Sequence, residues 1–504
     1  MPPLANPLSP RAFLRLALVL GGPVLGAAPG GAAAQSLARR VEARLDRAPF
    51  DRHLWGVALA DQRGRVLFGR NAERLFIPAS NTKLVVAATA AALLPPDFTV
   101  ATSVYPAGPV ADGVVRGDLV LYGRGDPAFS QRCYSVDTLE AGACDPDSSS
   151  RLIELAAQLA ARGLREVTGD LVGDGSWFEP TTVHPGWEGY DLTWWYAAPV
   201  TGLSFNDNSL DVRYAPGGSP GAPVALSFTP DFGDVVLENR AVTGAAGSRA
   251  TFDLFRGEGP QQYFARGSVP AGAAGGTEFV AVEDPNLFAA RAFRAALAAA
   301  GIGVGGTTRS TTDSAPYAAA RAGAPLAEVR SRPLRDWIFP VLNTSQNLFA
   351  EVLLKQLGRQ FRGAGSWEAG IDVERRFLID SVGVDSTQFS LSDGSGLSAV
   401  NLVTPLAFTR LLAFIRRHPH WETFAAGLPQ SGRRGSLRFR FSGTPLEGRV
   451  RAKTGSIARV NTLSGYIERP DGSWRVFSVQ ANHHVLGGRA MIPQIDSVVV
   501  EMGR

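Results

Sequence analysis

The stretch Ser80-Asn81-Thr82-Lys83 opens a continuously apolar segment, Leu84 to Leu94, that ends before Pro95-Pro96. This pattern predicts a buried helix with Ser80 at its N-terminus and Lys83 one turn further on. Residues at i and i+3 share a helix face, so the hydroxyl and the amine can meet. Helix N-termini also favour negative charge, which suits an attacking alkoxide and an oxyanion. An ordinary N-cap serine followed by a solvated lysine fits the same stretch. The choice between a catalytic and a structural role for Ser80 and Lys83 therefore depends on other segments.

Lysine is rare in this chain. The 504 residues include 50 Lys+Arg and 46 Asp+Glu, a formal net charge of +4, yet Lys83, Lys355 and Lys453 are the only lysines. An amine can lose its proton at moderate pH, whereas a guanidinium cannot. We therefore regard each lysine as a candidate for proton transfer.

Two further segments carry polar side chains at defined spacings. Ser345-Gln346-Asn347 stands at the head of a predicted helix that runs from Gln346 to Leu357, with Gly358 as its cap. Lys453-Thr454-Gly455-Ser456 lies on a predicted strand, where Lys453 and Gly455 share one face. We expect Gly455 to leave room for a peptide at the strand edge. Each segment also has a purely structural explanation: helix capping for Ser345-Gln346-Asn347, and an exposed strand end for Lys453-Thr454-Gly455-Ser456.

The order S-x-x-K, S-x-N, K-T-G is the signature of active-site serine penicillin-binding proteins and β-lactamases. On these motifs the chain resembles the low-molecular-mass class C penicillin-binding proteins, the D-alanyl-D-alanine carboxypeptidase/endopeptidase family. Asp393-Gly394-Ser395-Gly396-Leu397-Ser398 resembles a further family motif beside the cleft. The resemblance implies an α+β fold: a serine penicillin-binding/β-lactamase-like domain, with an antiparallel sheet flanked by helices, split by a mainly β insertion of one or two small domains.

The resemblance also implies the catalytic roles. Ser80 attacks the carbonyl of a D-Ala-D-Ala peptide bond and forms an acyl-enzyme. Neutral Lys83 is the expected base, with its pKa lowered by burial and by nearby Lys453. Ser345 relays a proton to the departing amine. The backbone N–H groups of Ser80 and Ser456 form the oxyanion hole.

Substrate binding is expected to use the remaining motif residues. Asn347 holds the amide of the acyl side chain, and Lys453 and Thr454 bind the terminal carboxylate, with Gly455 and Ser456 on the same strand. The implied partners are peptidoglycan stem peptides and β-lactam antibiotics, and a homodimer is compatible with the resemblance. No cofactor is expected, the six histidines have no metal-ligand spacing, and the nearly balanced charge argues against nucleic acid.

Two other functions remain open at this stage. A β-lactamase would share the three motifs, but the long insertion and the absence of a Glu-x-x-Leu-Asn deacylation element argue against it. A wall-binding scaffold that has lost turnover would also keep the motifs. Release of D-alanine from a pentapeptide separates the enzyme from the scaffold.

The N-terminal residues 1–34 are predicted to be a signal peptide. Arg11 and Arg15 precede an apolar run, and the small residues Ala32-Ala33-Ala34 form a cleavage site. We expect an exported, periplasmic protein without an integral membrane segment once the signal is removed. In that compartment Cys133 and Cys144 can form a disulfide, with two buried thiols as the alternative.

Two hairpins are predicted near the ends of the mature chain. Gly56 to Ala60 and Arg65 to Phe68 form the first, and Leu463 to Glu468 and Trp474 to Gln480 form the second. We expect both in one antiparallel sheet. Gly305 to Ala324 is rich in small residues and is predicted to be a return linker.

The shared sheet makes the catalytic domain discontinuous. We assign residues 35–100 and 325–504 to the catalytic domain and residues 101–205 and 282–324 to an insertion domain. Residues 206–281 are a candidate second domain nested within the insertion.

Overall fold

The computed structural model describes residues 31–130 and 147–504. Most of the predicted signal peptide, and both Cys133 and Cys144, lie outside these ranges. In the part of the chain that is described, no helix is long and apolar enough to cross a membrane.

The described residues form helices and strands that we number in chain order. The helices are α1 Gly31–Leu45, α2 Lys83–Leu93, α3 Ser150–Ala161, α4 Pro285–Ala299, α5 Ala318–Arg321, α6 Leu334–Asn343, α7 Asn347–Arg362, α8 Trp367–Arg376, α9 Pro405–Ile415, α10 Trp421–Ala425 and α11 Gly488–Gly503. The first strands are β1 Leu54–Asp61, β2 Val66–Arg70, β3 Ala101–Ala107, β4 Val110–Ala111, β5 Val114–Val115, β6 Asp118–Gly123, β7 Glu166–Val167 and β8 Leu171–Asp174. The middle strands are β9 Ser209–Ala215, β10 Ala225–Thr229, β11 Val236–Asn239, β12 Val242–Gly244, β13 Asp253–Arg256, β14 Gln262–Arg266, β15 Ser268–Pro270 and β16 Gly276–Ala281. The last strands are β17 Gly303–Val304, β18 Thr308–Thr311, β19 Ala327–Arg330, β20 Phe389–Ser390, β21 Leu402–Val403, β22 Val450–Ile457, β23 Val460–Glu468 and β24 Trp474–Asn482.

The central sheet has five antiparallel strands in the order β2-β1-β24-β23-β22. Strand β1 pairs with β24, so the hairpins from the two ends of the chain share one sheet, as predicted. Strand β1 is buried on both faces, which explains its unbroken apolar sequence from Val57 to Ala60.

Helices cover both faces of this sheet. On one face, α2 and α6 to α10 surround a core that includes Tyr466 and Val476. On the other face, α1 and α11 pack on Leu59 and Leu463. Helix α2 is buried from Lys83 to Ala91, as expected for a helix that is apolar all round. The site motifs lie on the α2 side of the sheet.

The segment between α2 and α6 is mainly β. Residues 209–281 form three small sheets, β10-β9-β16, β11-β14-β13 and β12-β15. Two further sheets, β18-β8-β6-β3-β19 and β17-β7-β5-β4, use strands from both sides of that stretch. Helices α3 and α4 pack into the same core. This arrangement is the expected α+β fold with a β-rich insertion.

Two details differ from expectation. The predicted linker Gly305 to Ala324 contains β18, which pairs in parallel with β8, because its Thr and Ser residues suit an edge strand. Strand β19 pairs with β3, although it falls within the predicted catalytic range 325–504. The domain boundaries stay predictions.

The predicted end of α7 is also wrong. The helix continues through Gly358 to Arg362, and Gly363 ends it with a φ of 73°. Gly358 lies inside the helix and is buried. Two factors offset the low helix propensity of this glycine. Arg359 and Gln360 after it are good helix formers, and Gly358 itself is buried against α8.

Candidate active site

Ser80 lies in a 3-10 turn, Ala79–Thr82, that leads directly into α2. Its side chain is partly exposed, whereas Lys83 is fully buried. The Nζ atom of Lys83 lies 3.1 Å from the Oγ atom of Ser80. The i, i+3 spacing therefore brings a hydroxyl and an amine into hydrogen-bond contact, as the sequence predicts.

Two glycines allow the turn that carries Ser80 to pack closely against its neighbours, one on β22 and one in the loop at 393–398. A Cβ atom on Gly455 would lie 2.7 Å from the Pro78 carbonyl oxygen and 3.0 Å from the Ser80 amide nitrogen. A Cβ on Gly396, where φ is +77°, would overlap the carbonyl oxygen of Ala79. The turn that carries Ser80 therefore occupies the space that a Gly455 side chain would take, and the contact of Gly455 with a peptide stays a prediction.

Lys83 has two more hydrogen-bond acceptors. Its Nζ donates to Asn347 Oδ1 at 2.6 Å and to the Ser395 carbonyl oxygen at 2.7 Å. Burial lowers the pKa of Lys83 to about 7, against the opposing charges of Glu351 and Asp393, which raise it. An amine with that pKa is substantially unprotonated near neutral pH, as a general base must be.

The loop at 393–398 is fastened by two fully buried carboxylates. Asp393 accepts from the backbone amides of Gly396 and Ser398, both at 2.7 Å, and from Trp187 Nε1 at 3.0 Å. Glu351 accepts from the amides of the two residues that follow Asp393. The loop therefore borders the cleft, as the family resemblance implies.

The second serine-lysine pair joins α7 to the sheet. Lys453 Nζ donates to Ser345 Oγ at 2.8 Å and to the Thr454 carbonyl at 2.7 Å. Ser345 has a φ of 65°, a left-handed backbone that a non-glycine residue rarely adopts and that recurs at functional sites. Burial and then the charge of Lys83 hold the pKa of Lys453 well below its ordinary value.

The outer part of β22 carries two hydroxyl side chains. Thr454 Oγ1 donates to Ser436 Oγ at 2.9 Å, and Ser456 Oγ accepts from Asn461 Nδ2 at 2.6 Å. Ser436 and Ser456 are exposed, and Thr454 is half-buried. These hydroxyl groups are therefore accessible to a ligand that lies along the strand.

A cavity of about 440 Å³ opens at Ser80. Asn347 and Ser456 line it, together with Glu188, Asp191 and Tyr196 from the inserted region. The Tyr196 hydroxyl donates to Asp191 at 3.0 Å. Burial and then the neighbouring Glu188 raise the pKa of Asp191. The cavity wall thus presents acidic groups beside Ser80.

Asn347 has contacts within the protein at both ends of its side-chain amide, and its predicted role in holding the acyl side chain of a ligand stays a prediction. Its Oδ1 is occupied by Lys83, and its Nδ2 donates to the Tyr196 carbonyl at 2.7 Å. Both ends of the amide are therefore used within the protein, and Asn347 orients the lysine. It still lines the cavity, so contact with a ligand is retained.

The sequence motifs therefore converge as expected, but three contributors were missed. These are Glu351, Ser436 and Tyr196. Glu351 had a signal: it is the only acidic residue between Leu348 and Leu354, one turn after Asn347. Ser436 and Tyr196 reach the site only through the tertiary fold, and their local sequence has no comparable signal.

A serine in hydrogen-bond contact with a buried lysine, between a five-stranded antiparallel sheet and a helical layer, is the arrangement of the class of active-site serine penicillin-binding enzymes and β-lactamases. Residues 37–502 match the D-Ala-D-Ala carboxypeptidase 3 (S13) family. The chain belongs to this family.

Individual relatives agree with this assignment. The chain is 34% identical over 498 residues to the D-alanyl-D-alanine carboxypeptidase of Actinomadura sp. (strain R39), covering 95% of this chain and 87% of that protein. It is 27% identical over 465 residues to the penicillin-sensitive carboxypeptidase A of Dictyostelium discoideum, covering 86% and 83%. The crystal structure of penicillin binding protein 4 (dacB) from Haemophilus influenzae shares the fold, with a TM-score of 0.79, 23% identity, and coverage of 92% of this chain and 98% of that one.

Proposed function

We propose that the chain is a serine D-alanyl-D-alanine carboxypeptidase/endopeptidase that acts on peptidoglycan stem peptides and is acylated by β-lactams. The observation that carries this proposal is the 3.1 Å contact between Ser80 Oγ and the buried amine of Lys83. Membership in the S13 family supports the choice of substrate. A β-lactamase or an inactive wall-binding scaffold would keep the same pair, so the experiments below include both.

Acylation begins with the attack of Ser80 Oγ on the carbonyl carbon of the D-Ala-D-Ala bond. The hydroxyl proton passes to the unprotonated Nζ of Lys83, and the negative charge moves to the carbonyl oxygen. We assign the stabilisation of that oxyanion to the backbone N–H groups of Ser80 and Ser456, a role that remains a prediction. Removing one such donor typically costs about 3 kcal/mol of transition-state stabilisation.

The tetrahedral intermediate then expels the C-terminal D-alanine. The C–N bond breaks, and the leaving nitrogen takes a proton from the Ser345 hydroxyl, which regains one from Lys453 through their 2.8 Å contact. Burial and the charge of Lys83 hold the pKa of Lys453 well below its ordinary value, so its ammonium form gives up a proton readily. The terminal carboxylate of the bound substrate favours that ammonium form before the transfer. Water then hydrolyses the Ser80 ester to the free serine hydroxyl and a carboxylic acid. Lys83 gives up the proton that it took from Ser80, and Lys453 regains the proton that it lost, so both amines return to their starting states.

Substrate orientation follows from the cavity and from β22. The terminal carboxylate of the leaving residue is proposed to lie against Thr454 and Lys453, with Ser436 as an additional hydroxyl donor. The acyl half of the peptide extends into the 440 Å³ cavity beside Asn347. A cleft of this shape also accepts a β-lactam, whose ring carbonyl takes the place of the scissile carbonyl.

We also propose that the protein acts outside the cytoplasm after removal of residues 1–34. The substrate is a cell-wall polymer, which requires export. N-terminal sequencing of the secreted protein tests this point: a new terminus at Gln35 is expected, and an intact Met1 on cytoplasmic protein would contradict it.

Labelling with fluorescent penicillin tests the acyl-enzyme. Wild type should be labelled covalently, and Ser80→Ala should not. Equal labelling of both proteins would refute the assignment of Ser80.

Product analysis separates the enzyme from its alternatives. We expect D-alanine release from a pentapeptide and cleavage of cross-linked muropeptides by wild type but not by Lys83→Ala, detected by mass spectrometry. Rapid turnover of nitrocefin without D-alanine release would favour a β-lactamase. Labelling without any peptide product would favour the scaffold.

A further inference from the structure

The carboxylate of Glu351 is fully buried and accepts three N–H groups. Its Oε1 lies 2.7 Å from the Ser395 amide nitrogen. Its Oε2 lies 3.0 Å from the Gly394 amide nitrogen and 2.8 Å from Trp367 Nε1. These three donors favour the ionised form of the carboxylate, and the two backbone amides among them fix the position of the loop that they belong to.

That backbone carries the acceptor for the catalytic amine. The Ser395 carbonyl oxygen accepts from Lys83 Nζ at 2.7 Å, and it belongs to the residue whose own amide is held by Glu351. The other acceptor, Asn347 Oδ1, lies one turn before Glu351 on α7. One helix therefore controls both groups that aim the amine at Ser80.

We propose that Glu351 is a positioning residue for acylation: by clamping the Gly394 and Ser395 amides, it holds the Ser395 carbonyl that orients Lys83, and it places a buried negative charge beside that amine. This inference rests on the proposed function, in which Lys83 is the base. Glu351 itself does not touch Ser80, so its effect is transmitted through the loop.

The negative charge of Glu351 and the burial of the site have opposite effects on the pKa of Lys83. Burial lowers the pKa of Lys83, and the negative charge of Glu351 raises it. Burial and Asp393 raise the pKa of Glu351 itself to about 7, while its hydrogen bonds favour the ionised form. The other titratable groups that interact with these two side chains are Lys453 on β22, Asp393 in the loop, Lys355 on α7 and Glu374 on α8. Beyond them, Glu179 interacts with Lys355, and His184 interacts with Asp393 and Lys355.

Glu374 provides a matched control. It is also fully buried, it interacts electrostatically with Glu351, and its pKa is raised well above the ordinary value by burial. Neither of its carboxyl oxygens has a hydrogen-bond partner among the described residues. Glu374→Gln therefore makes the same chemical change in the same core without touching the loop.

The test measures the acylation rate constant with fluorescent penicillin as a function of pH. Glu351→Gln replaces an acceptor oxygen by an NH₂ group that opposes a backbone N–H. We expect its rate to fall by about 10- to 100-fold, the scale that displacement of a catalytic group produces. In the plot of rate against pH, the part that rises from acidic pH is the acid limb. We expect this limb to move to lower pH, because loss of the negative charge lowers the pKa of Lys83. Glu374→Gln should keep the wild-type limb and nearly the wild-type rate.

Glu351→Asp separates position from charge. It keeps a buried carboxylate but shortens its reach, so the rate should fall while the acid limb stays in place. Thermal melting identifies the variants that are folded. If Glu351→Gln does not fold, Glu351→Asp decides alone, and a wild-type rate for it would overturn the proposal.

The outcomes for this inference and for the proposed function are distinct. Wild type that takes no label would overturn the proposed function and this inference with it. A labelled wild type, together with a folded Glu351→Gln variant whose rate and acid limb match those of Glu374→Gln, would overturn only the role of Glu351.

Discussion

The Nζ atom of Lys83 and the Oγ atom of Ser80 lie 3.1 Å apart, although the two side chains differ greatly in exposure. The amine is sealed in the core and the hydroxyl opens into the cavity. Burial therefore acts on the base and leaves the nucleophile accessible. The proposed chemistry depends on this difference in burial between the lysine and the serine.

Lys83→Arg should nearly abolish acylation. The guanidinium keeps the positive charge but cannot give up a proton to act as a base, and general-base catalysis contributes about 10²- to 10⁴-fold. The measurement is the rate of labelling by fluorescent penicillin, with thermal melting to verify folding. A folded variant that is labelled at the wild-type rate would exclude Lys83 as the base.

Acylation by wild type should increase as the pH rises through about 7 and then level off. Below the pKa of Lys83, which burial lowers to about 7, the amine is protonated and cannot accept the Ser80 proton. Stopped-flow labelling across the pH range gives the acid limb. A rate that is independent of pH in this range, or that rises only near the ordinary lysine pKa, would contradict the prediction.

The same shift predicts a stability change. The unfolded chain protonates Lys83 up to its ordinary pKa of 10.5, whereas the folded chain releases the proton near 7. Between these values the unfolded state binds more protons, so Lys83 makes the free energy of unfolding increase with pH. Denaturant unfolding of wild type and Lys83→Met at several pH values measures this. Parallel pH dependences for the two proteins would contradict it.

Gly396→Ala should destabilise the protein and remove acylation. The added Cβ would overlap the Ala79 carbonyl oxygen, and the φ of +77° is unfavourable for alanine. Gly383→Ala is the control, because its φ is +78° and nothing lies within 4 Å of the added atom. We expect a cost of about 1–3 kcal/mol beyond that of the control, measured by denaturant unfolding. Equal costs for both variants would rule out the close contact as the cause.

Ser436→Ala should weaken the recognition of a terminal carboxylate. A hydrogen bond to a charged group contributes about 1.5–3 kcal/mol, so kcat/KM for a D-Ala-terminated peptide should fall by about 10- to 100-fold. A peptide with an amidated C-terminus should be affected less. Ser473→Ala, in the distant β23–β24 turn, controls for a general effect. Equal losses for the free acid and the amide would exclude this role.

Much of the site could be predicted because each motif is local. The Ser80–Lys83 contact follows from the pitch of a helix, and the shared sheet follows from two hairpins with clear turn residues. Other parts depend on contacts between distant segments, such as Ser436 with Thr454. Periodicity carries no information about such contacts. The close approach of the Ser80 turn to Gly455 could not be predicted for the same reason, since the two segments are far apart in the sequence.

Lys453 illustrates the limit more closely. Its position on a strand was predictable, but its hydrogen bond joins it to a serine from a distant part of the sequence, and that serine has a left-handed backbone. No residue type near Ser345 demands such a conformation. This backbone conformation is therefore seen only in the three-dimensional structure.

The indole of Trp187 reaches Asp393, and the Tyr196 carbonyl holds Asn347. Both come from the long excursion between α2 and α6, which contains none of the three signature motifs. A shortened protein in which a tight turn replaces the segment between α2 and α6 would retain every residue of the three motifs. It would still lose the hydrogen bonds of Trp187 to Asp393 and of Asn347 to the Tyr196 carbonyl. We therefore expect the shortened protein to be a poor catalyst, because the inserted segment forms part of the framework that supports the site.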